Sequence, residues 1–346
     1  MHFSKNKICC ISDFHFGVHQ DNSIWHNISL NFIKDLKQKL INMNIKDIVI
    51  CGDVNNDRNE ISLNTMFIIN KAFKMLKDFN IFILVGNHDA YYRDRSDINS
   101  LSLLDGWDNI NVYDTITTIN EFDQTITFCP WATELEKIPK SDVLFGHFGI
   151  TGFKMSKGKI CAEGLNSYDI LGKSSLIISG HFHLREERKY KDGTILYLGS
   201  PYELNWGESG GKKGFYILDL ISKTYEFIEN TNSPKHKKIR LSELIATKKL
   251  TRDIRKEFPG NFISFIVDHD VDLDKIDMLI NKLSMLKPLS IKTEFDLENK
   301  YNIDDLNYEF TGVDIPAAIE EFINMLEVEN KKDILNITLE LYKQST

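Results

Sequence analysis

An α/β sandwich, two sheets with helices outside, is the fold class this chain predicts, and three observations carry it. Over residues 7–89, short runs of Ile, Val, Leu, Phe and Cys alternate with amphipathic segments. Near-continuous apolar strands between helices indicate a sheet covered on both faces. From about Asn109 the rhythm changes to short strands with little helix between them, which predicts a second sheet packed on the first. Finally, several apolar runs end in a turn carrying Asp, Asn or His, and in open α/β sheets ligands gather at the carboxyl ends of strands.

In chain order, the pattern predicts a strand over 8–11, a helix over 24–40, a strand over 47–51, a helix over 62–77 and a strand over 81–85. Apolar positions recur every third or fourth residue in the helices and run unbroken in the strands. Strands follow at 110–113, 125–129, 143–146, 176–179, 195–198, 215–219 and 225–228. The polar, glycine-containing stretch 149–173 reads as an active-site rim, and 205–214 as a flexible loop. The polar, proline-containing segment 230–236 reads as a linker. Beyond it, a strand over 262–267, a helix over 273–286 and a strand over 289–295 form a small α+β capping unit, followed by helices over 316–326 and 332–342. The expected domains are therefore 1–229, 237–300 and a helical segment over 312–346.

A chain of 346 residues can hold one large core plus smaller units. No stretch approaches eighteen apolar residues without charge, so a membrane span is not expected, nor is a signal peptide at Met1-His2-Phe3-Ser4-Lys5. Cys9, Cys10, Cys51 and Cys129 lie in or beside strand runs and read as small buried hydrophobes, consistent with a reducing, cytoplasmic compartment. The net charge of −8 opposes a polyanion unless positive charge is local or cations offset the acidic site. Charge is uneven: residues 235–256 carry nine Lys or Arg against two acids. That run reads as a solvated linker, a phosphate-contacting stretch or a contact for an acidic partner.

The chemistry lies in the turns. Asp13 and His15 sit two apart after a strand, Asp53 follows Gly52, Asn87 and His88 follow Gly86, His147 follows Gly146, and His181 and His183 follow Gly180. Singly, each has a plain explanation: a cap, an Asn turn, a hydrogen-bonded histidine. Together they supply carboxylate and amide oxygens and imidazole nitrogens without thiolate, a set suited to manganese, iron or zinc. A carboxylate at Asp53 can bridge two cations, and such a pair activates water and neutralises phosphoryl charge. His88 need not be a ligand; as an imidazolium it can donate to a phosphate oxygen or a leaving alkoxide.

Asp13-x-His15, Gly52-Asp53, Gly86-Asn87-His88-Asp89, Gly146-His147 and Gly180-His181-x-His183 match, in order, the motifs of the calcineurin-like metallophosphoesterases. The chain resembles that superfamily. The resemblance implies that Asp13, His15 and His183 hold one metal, that Asn87, His147 and His181 hold the other, that Asp53 bridges, and that His88 is the catalytic histidine. Within the superfamily, three segments resemble the nuclease subunit of SbcCD-type DNA repair and recombination complexes, phage and viral forms especially. They are Asp13-Phe14-His15-Phe16-Gly17-Val18, Pro130-Trp131, and Gly199-Ser200-Pro201-Tyr202-Glu203-Leu204-Asn205-Trp206-Gly207.

The resemblance is strong over residues 7–229 and rests on domain order beyond. It implies manganese-dependent exonuclease and endonuclease activity on DNA and a homodimer joined near 62–77 and 100–104. It also implies C-terminal helices docked on the coiled coil of a SbcC-type P-loop ATPase. One departure stands out: relatives carry Asp or His three positions past the bridging aspartate, where this chain has Asn56. Asp57 and Arg58 are therefore candidates for contacting DNA or shaping the site, as are Tyr202 and Trp206. The same centre could instead serve small-molecule or protein phosphoesters, or survive in a mainly structural subunit of a DNA complex.

Overall fold

The computed structural model describes residues 2–104, 106–246, 252–269, 273–296, 320, 323 and 330–345. Contacts group them into two units, 1–295 and 296–346. In the first unit, β1 (Lys7–Ile11), β2 (Asp47–Ile50), β3 (Asn80–Leu84) and β4 (Ile110–Tyr113) run parallel. Antiparallel β13 (Gly214–Asp219) and β14 (Thr224–Glu229) extend this sheet beyond β1, giving the order β14-β13-β1-β2-β3-β4. The second sheet has the order β11-β12-β10-β7-β6-β5. Its parallel centre is β12 (Gly193–Tyr197), β10 (Leu176–Ser179), β7 (Val143–Gly146) and β6 (Gln124–Cys129), and its antiparallel edges are β11 (Glu186–Tyr190) and β5 (Thr117–Glu121).

Alternation along each strand builds the layers. Ile8, Cys10, Val49, Phe82 and Leu84 face inward onto Phe128, Val143, Phe145, Ile178 and Leu196 of the second sheet. Their chain neighbours Cys9, Ile11, Ile48, Ile50, Ile81 and Ile83 face outward onto two helices, α2 (Ser23–Asn42) and α3 (Leu63–Met75). Asn22 and Ser62 cap these helices by accepting from the backbone N–H groups of Ile24 and Thr65, both at 2.9 Å. A short left-handed turn, α1 (Val18–Asp21), precedes α2. On the far side of the second sheet, Leu144, Ile177, Ile195 and Tyr197 pack against the 149–173 segment. That segment is more than a rim. It folds into the hairpin β8 (Lys154–Ser156) and β9 (Lys159–Ile160), then α4 (Ser167–Leu171), and buries Phe153, Cys161 and Ile170.

A separate parallel sheet follows, β15 (His236–Arg240), β16 (Phe262–Val267) and β17 (Ser290–Phe295), with α5 (Leu241–Ala246), α6 (Arg252–Lys256) and α7 (Leu273–Ser284) on the connections. Strand β15 begins inside the segment read as a linker, and the basic run is part strand. His236 is buried, stacked on Phe262 at 4.8 Å, and its backbone N–H donates to Glu203 at 2.6 Å. Trp25 stacks on the same Phe262 at 5.1 Å, so this sheet packs directly on α2. About half of the expected 312–346 segment, including all of the 316–326 helix except residues 320 and 323, lies outside the described residues. The last helix is α8 (Lys331–Ser345). Among the described residues no helix is long and apolar enough to cross a membrane.

Candidate metal centre

Five strand ends, three from the first sheet and two from the second, deliver every residue of the candidate set. Asp13 and His15 follow β1, Asp53 follows β2, Asn87 and His88 follow β3, His147 follows β7, and His181 and His183 follow β10. The loops after β1 and β2 are laced together. The backbone N–H groups of Asp13, His15 and Phe16 donate to the carbonyls of Gly52, Asp53 and Val54 at 3.1, 3.1 and 2.8 Å. Asp13, His15, Asp53 and His181 adopt φ of 58°, 49°, 53° and 86°. Such left-handed backbone costs roughly 1–3 kcal/mol per non-glycine residue and clusters at functional sites. Glycine is needed where two of these loops touch. A Cβ on Gly52 would lie 2.4 Å from His147 Nδ1, and one on Gly86 would lie 2.2 Å from Asp53 Oδ1.

Asp53 is central. Its Oδ1 accepts the His88 backbone N–H at 2.9 Å, and its Oδ2 lies 3.3 Å from His147 Nε2 and 3.7 Å from His15 Nε2. Asn87 Oδ1 sits 3.0 Å from His147 Nε2 and 2.7 Å from His181 Nδ1. Asp13 Oδ1 accepts the His181 backbone N–H at 3.1 Å. Three overlapping groups bring donor atoms within 4.8 Å of one another: Asp13, His15 and His183; His15, Asp53 and His88; Asp53, His147 and His181.

The residues fit divalent cations. Asp13 Oδ2 and both ring nitrogens of His15 are buried with no hydrogen-bond partner. A buried polar atom left unpaired costs about 1–3 kcal/mol, a cost that cation ligation removes. All five cysteines are free and buried, and none belongs to the three groups of donor atoms. The shifts favour the unprotonated, ligating form at His15, His181 and Asp53 and oppose it at His147. Burial, reinforced by His183, pushes His15 well below the usual imidazole range. Burial and His147 bring His181 down to about 3. Burial alone would raise Asp53, but His147, His15 and His88 hold it well below the usual carboxylate range. Burial disfavours charge on His147 too, yet Asp53 pushes it up to about 9.

The calcineurin-like phosphoesterase family pattern matches residues 6–185, which contain all eight of these side chains. The chain is a calcineurin-like phosphoesterase. It is 28% identical to Exonuclease subunit 1 of Enterobacteria phage T4, over 98% of this chain and 99% of that protein. It is 26% identical to the DNA double-strand break repair protein Mre11 of Methanocaldococcus jannaschii, over 94% and 96% of the two chains. An uncharacterized protein, R555, of Acanthamoeba polyphaga mimivirus is 22% identical over 84% of this chain and 22% of its own length.

Several residues that orient the phosphoesterase centre escape sequence reading. Glu208 is one. Its Oε1 meets His183 Nδ1 at 2.9 Å, and its Oε2 accepts from Lys213 Nζ at 2.5 Å and Ser200 Oγ at 2.9 Å. Burial would raise Glu208, but the bond to His183 and the Lys213 charge bring it down to about 2. The 205–214 loop therefore holds a buried ion pair rather than free chain. Asp89 is another. It accepts from the backbone N–H groups of Asn55 and Gly86 at 2.9 and 3.0 Å, tying two ligand loops together. Burial, with Asp53 nearby, pushes it up to about 6. Nothing in the sequence separates Glu208 from ordinary loop acids, and Asp89, although it closes the Gly86-Asn87-His88-Asp89 motif, shows its bracing role only through burial.

The four further candidates divide. Arg58 donates to the Asn87 carbonyl at 2.7 Å and so shapes the site. Asp57 is exposed and accepts the Asn59 backbone N–H at 2.9 Å. Tyr202 is only 1% exposed, and its hydroxyl donates to the Phe14 carbonyl at 2.7 Å. Burial excludes a DNA contact by Tyr202; it braces the loop between Asp13 and His15. Trp206 packs edge-on against His236 at 4.7 Å, with Lys292 Nζ 4.2 Å from its ring centroid. It joins the small sheet to the body.

Proposed function

We propose that this phosphoesterase is a metal-dependent DNA phosphodiesterase, an exonuclease and endonuclease acting in a DNA end-processing complex. The observation that carries the reading is the convergence of seven donor-bearing side chains from both sheets around Asp53. In this reading Asp13, His15 and His183 hold one divalent cation, Asn87, His147 and His181 hold a second, and Asp53 is shared. Two of the three donor groups divide in the same way. Manganese suits the mixed nitrogen and oxygen set. When bound, two cations supply an activated water and neutralise charge on the phosphoryl oxygens.

The protein's own groups position and protonate. His88 Nδ1–H donates to the Asn56 carbonyl at 2.6 Å, which fixes the ring and leaves Nε2 for the substrate. As an imidazolium held this way, His88 protonates the leaving oxygen. Asn56 thus contributes through its carbonyl, whatever its side chain. The DNA assignment draws on two near-full-length relatives, one named an exonuclease subunit and the other a DNA break repair protein. By the motif resemblance to SbcCD-type nuclease subunits, the chain works with a coiled-coil P-loop ATPase of the SbcC type, docked through the helical segment over 312–346. A homodimer forms through α3 and the turn at Ser100–Leu104. There Leu63 and Phe67 stand 84% and 66% exposed, and Leu103 is exposed as well.

The test is manganese-dependent cleavage of linear and hairpin DNA, set against a generic phosphodiester, with His88→Ala as the control. DNA cleavage lost in the control is expected. Turnover of the small ester alone would move the protein to the small-molecule alternative. Deleting residues 312–346 should abolish co-purification with the ATPase, and full retention would refute that docking site.

A further inference from the structure

Beside His147 and His181 opens a cavity of about 550 Å³ that the metal centre itself does not use. One wall is aromatic where it leaves the ligands, the half-buried Trp131 ring, while Phe148 and Phe182 lie largely beneath the lining. The Trp131 ring lies 5.3 Å from the His181 ring, and the buried Phe182 ring lies 4.9 Å from it on another side. Met155 continues the apolar lining, and Lys159 and Glu163 stand at its exposed edge. Among the described residues neither charged group forms an ion pair. Trp131 is held in place, since its Nε1–H donates to the Arg93 carbonyl at 2.8 Å.

We infer that this cavity is a base pocket, which receives one unpaired nucleobase flanking the scissile phosphate. The inference rests on the DNA reading above and adds a subsite to it. A phosphodiester held at the centre has an ester arm on the His147–His181 side, and that arm leads into the cavity. The size falls within the range of about 300–1,000 Å³ usual for small-molecule sites, as does an apolar lining with few polar groups. A base still paired in a duplex cannot enter such a recess, so the nucleotide enters from a frayed end, a single strand or a hairpin loop. Every base has a π face, so an aromatic wall accepts any of the four. Stacking on such a wall is worth about 1–3 kcal/mol per base, which makes the pocket sequence-tolerant.

The experiment uses the full-length protein with manganese and short single-stranded oligonucleotides. One nucleotide, scanned on each side of the cut bond, is replaced by an abasic tetrahydrofuran. Base removal at one flanking position should lower kcat/KM about tenfold, mainly through KM. A second measurement fills the recess with Ala162→Trp, at an exposed lining position. Its rates are normalised to the same variant's turnover of methyl 4-nitrophenyl phosphate. That variant should no longer distinguish the intact from the abasic strand. Equal use of both strands by the unsubstituted protein, or an unchanged preference in Ala162→Trp, would overturn the pocket while leaving the nuclease reading in place. Turnover of the methyl ester with no oligonucleotide cleaved would instead overturn the nuclease reading itself, and the pocket with it.

Discussion

The two sheets share one apolar interior but contribute different chemistry. The first sheet supplies all of the side-chain oxygens, from Asp13, Asp53 and Asn87, together with His15 and His88; the second supplies only imidazoles, His147, His181 and His183. The first sheet alone groups His15, Asp53 and His88, but each of the other two donor groups needs a histidine of the second sheet. The centre is therefore a product of sheet docking, and contacts across the interface enforce it. His147 Nδ1–H donates to the Cys51 carbonyl at 2.6 Å, and the His181 backbone N–H donates to Asp13. In each case a histidine of the second sheet is aimed by a group of the first.

Perturbations that break this division should be graded. The largest is Asp53→Ala, which removes the shared oxygen ligand. Manganese-dependent turnover should vanish and both cations should be lost, as read by metal titration. His88→Ala should reduce kcat by about 10²–10⁴-fold while retaining both cations. Loss of a cation there would make His88 a ligand instead. Glu208→Gln leaves the ligands in place but loosens His183, and should weaken manganese affinity by about 10–100-fold.

A stability test addresses the interface directly. Phe82 lies between the sheets, 4.4 Å from the Phe3 ring and 6.2 Å from the Phe128 ring. Phe82→Ala should cost about 3–5 kcal/mol in urea unfolding and reduce metal affinity with it. Tyr202→Phe, which loses only the hydroxyl bonds to Phe14 and Ser29, should cost about 1 kcal/mol. The acid limit follows from Glu208. Its folded pKa of about 2 lies below the usual 4.5, so its contribution is full above 4.5 and falls as pH drops towards 2. Metal-free protein should lose stability over that window, and Glu208→Gln should lose less.

Strands buried on both faces were legible because Ile, Val and Phe runs admit few other conformations, and their glycine-bounded ends marked the candidate ligands. Some polar edge strands were not, although the edge strands β4, β14 and β17 were. β11 reads Glu-Glu-Arg-Lys-Tyr and β15 reads His-Lys-Lys-Ile-Arg, composition that suits an exposed edge and carries little apolar signal. β5 was missed for the same reason. The 149–173 segment looked polar because its buried residues, Phe153, Cys161 and Ile170, are spaced by turns rather than by a regular period. The orienting groups Glu208, Lys213 and the Asn56 carbonyl depend on tertiary contacts between segments far apart in sequence, which no local pattern encodes.

The central claim, a two-cation centre assembled across two sheets and acting on DNA, is met most directly by one titration. Manganese bound per chain is counted by electron paramagnetic resonance while cleavage of a linear duplex is followed in the same samples. The account predicts two ions per chain at saturation, with cleavage appearing as the second is bound. One ion or none at full cleavage, or two ions with no DNA cut, would contradict it.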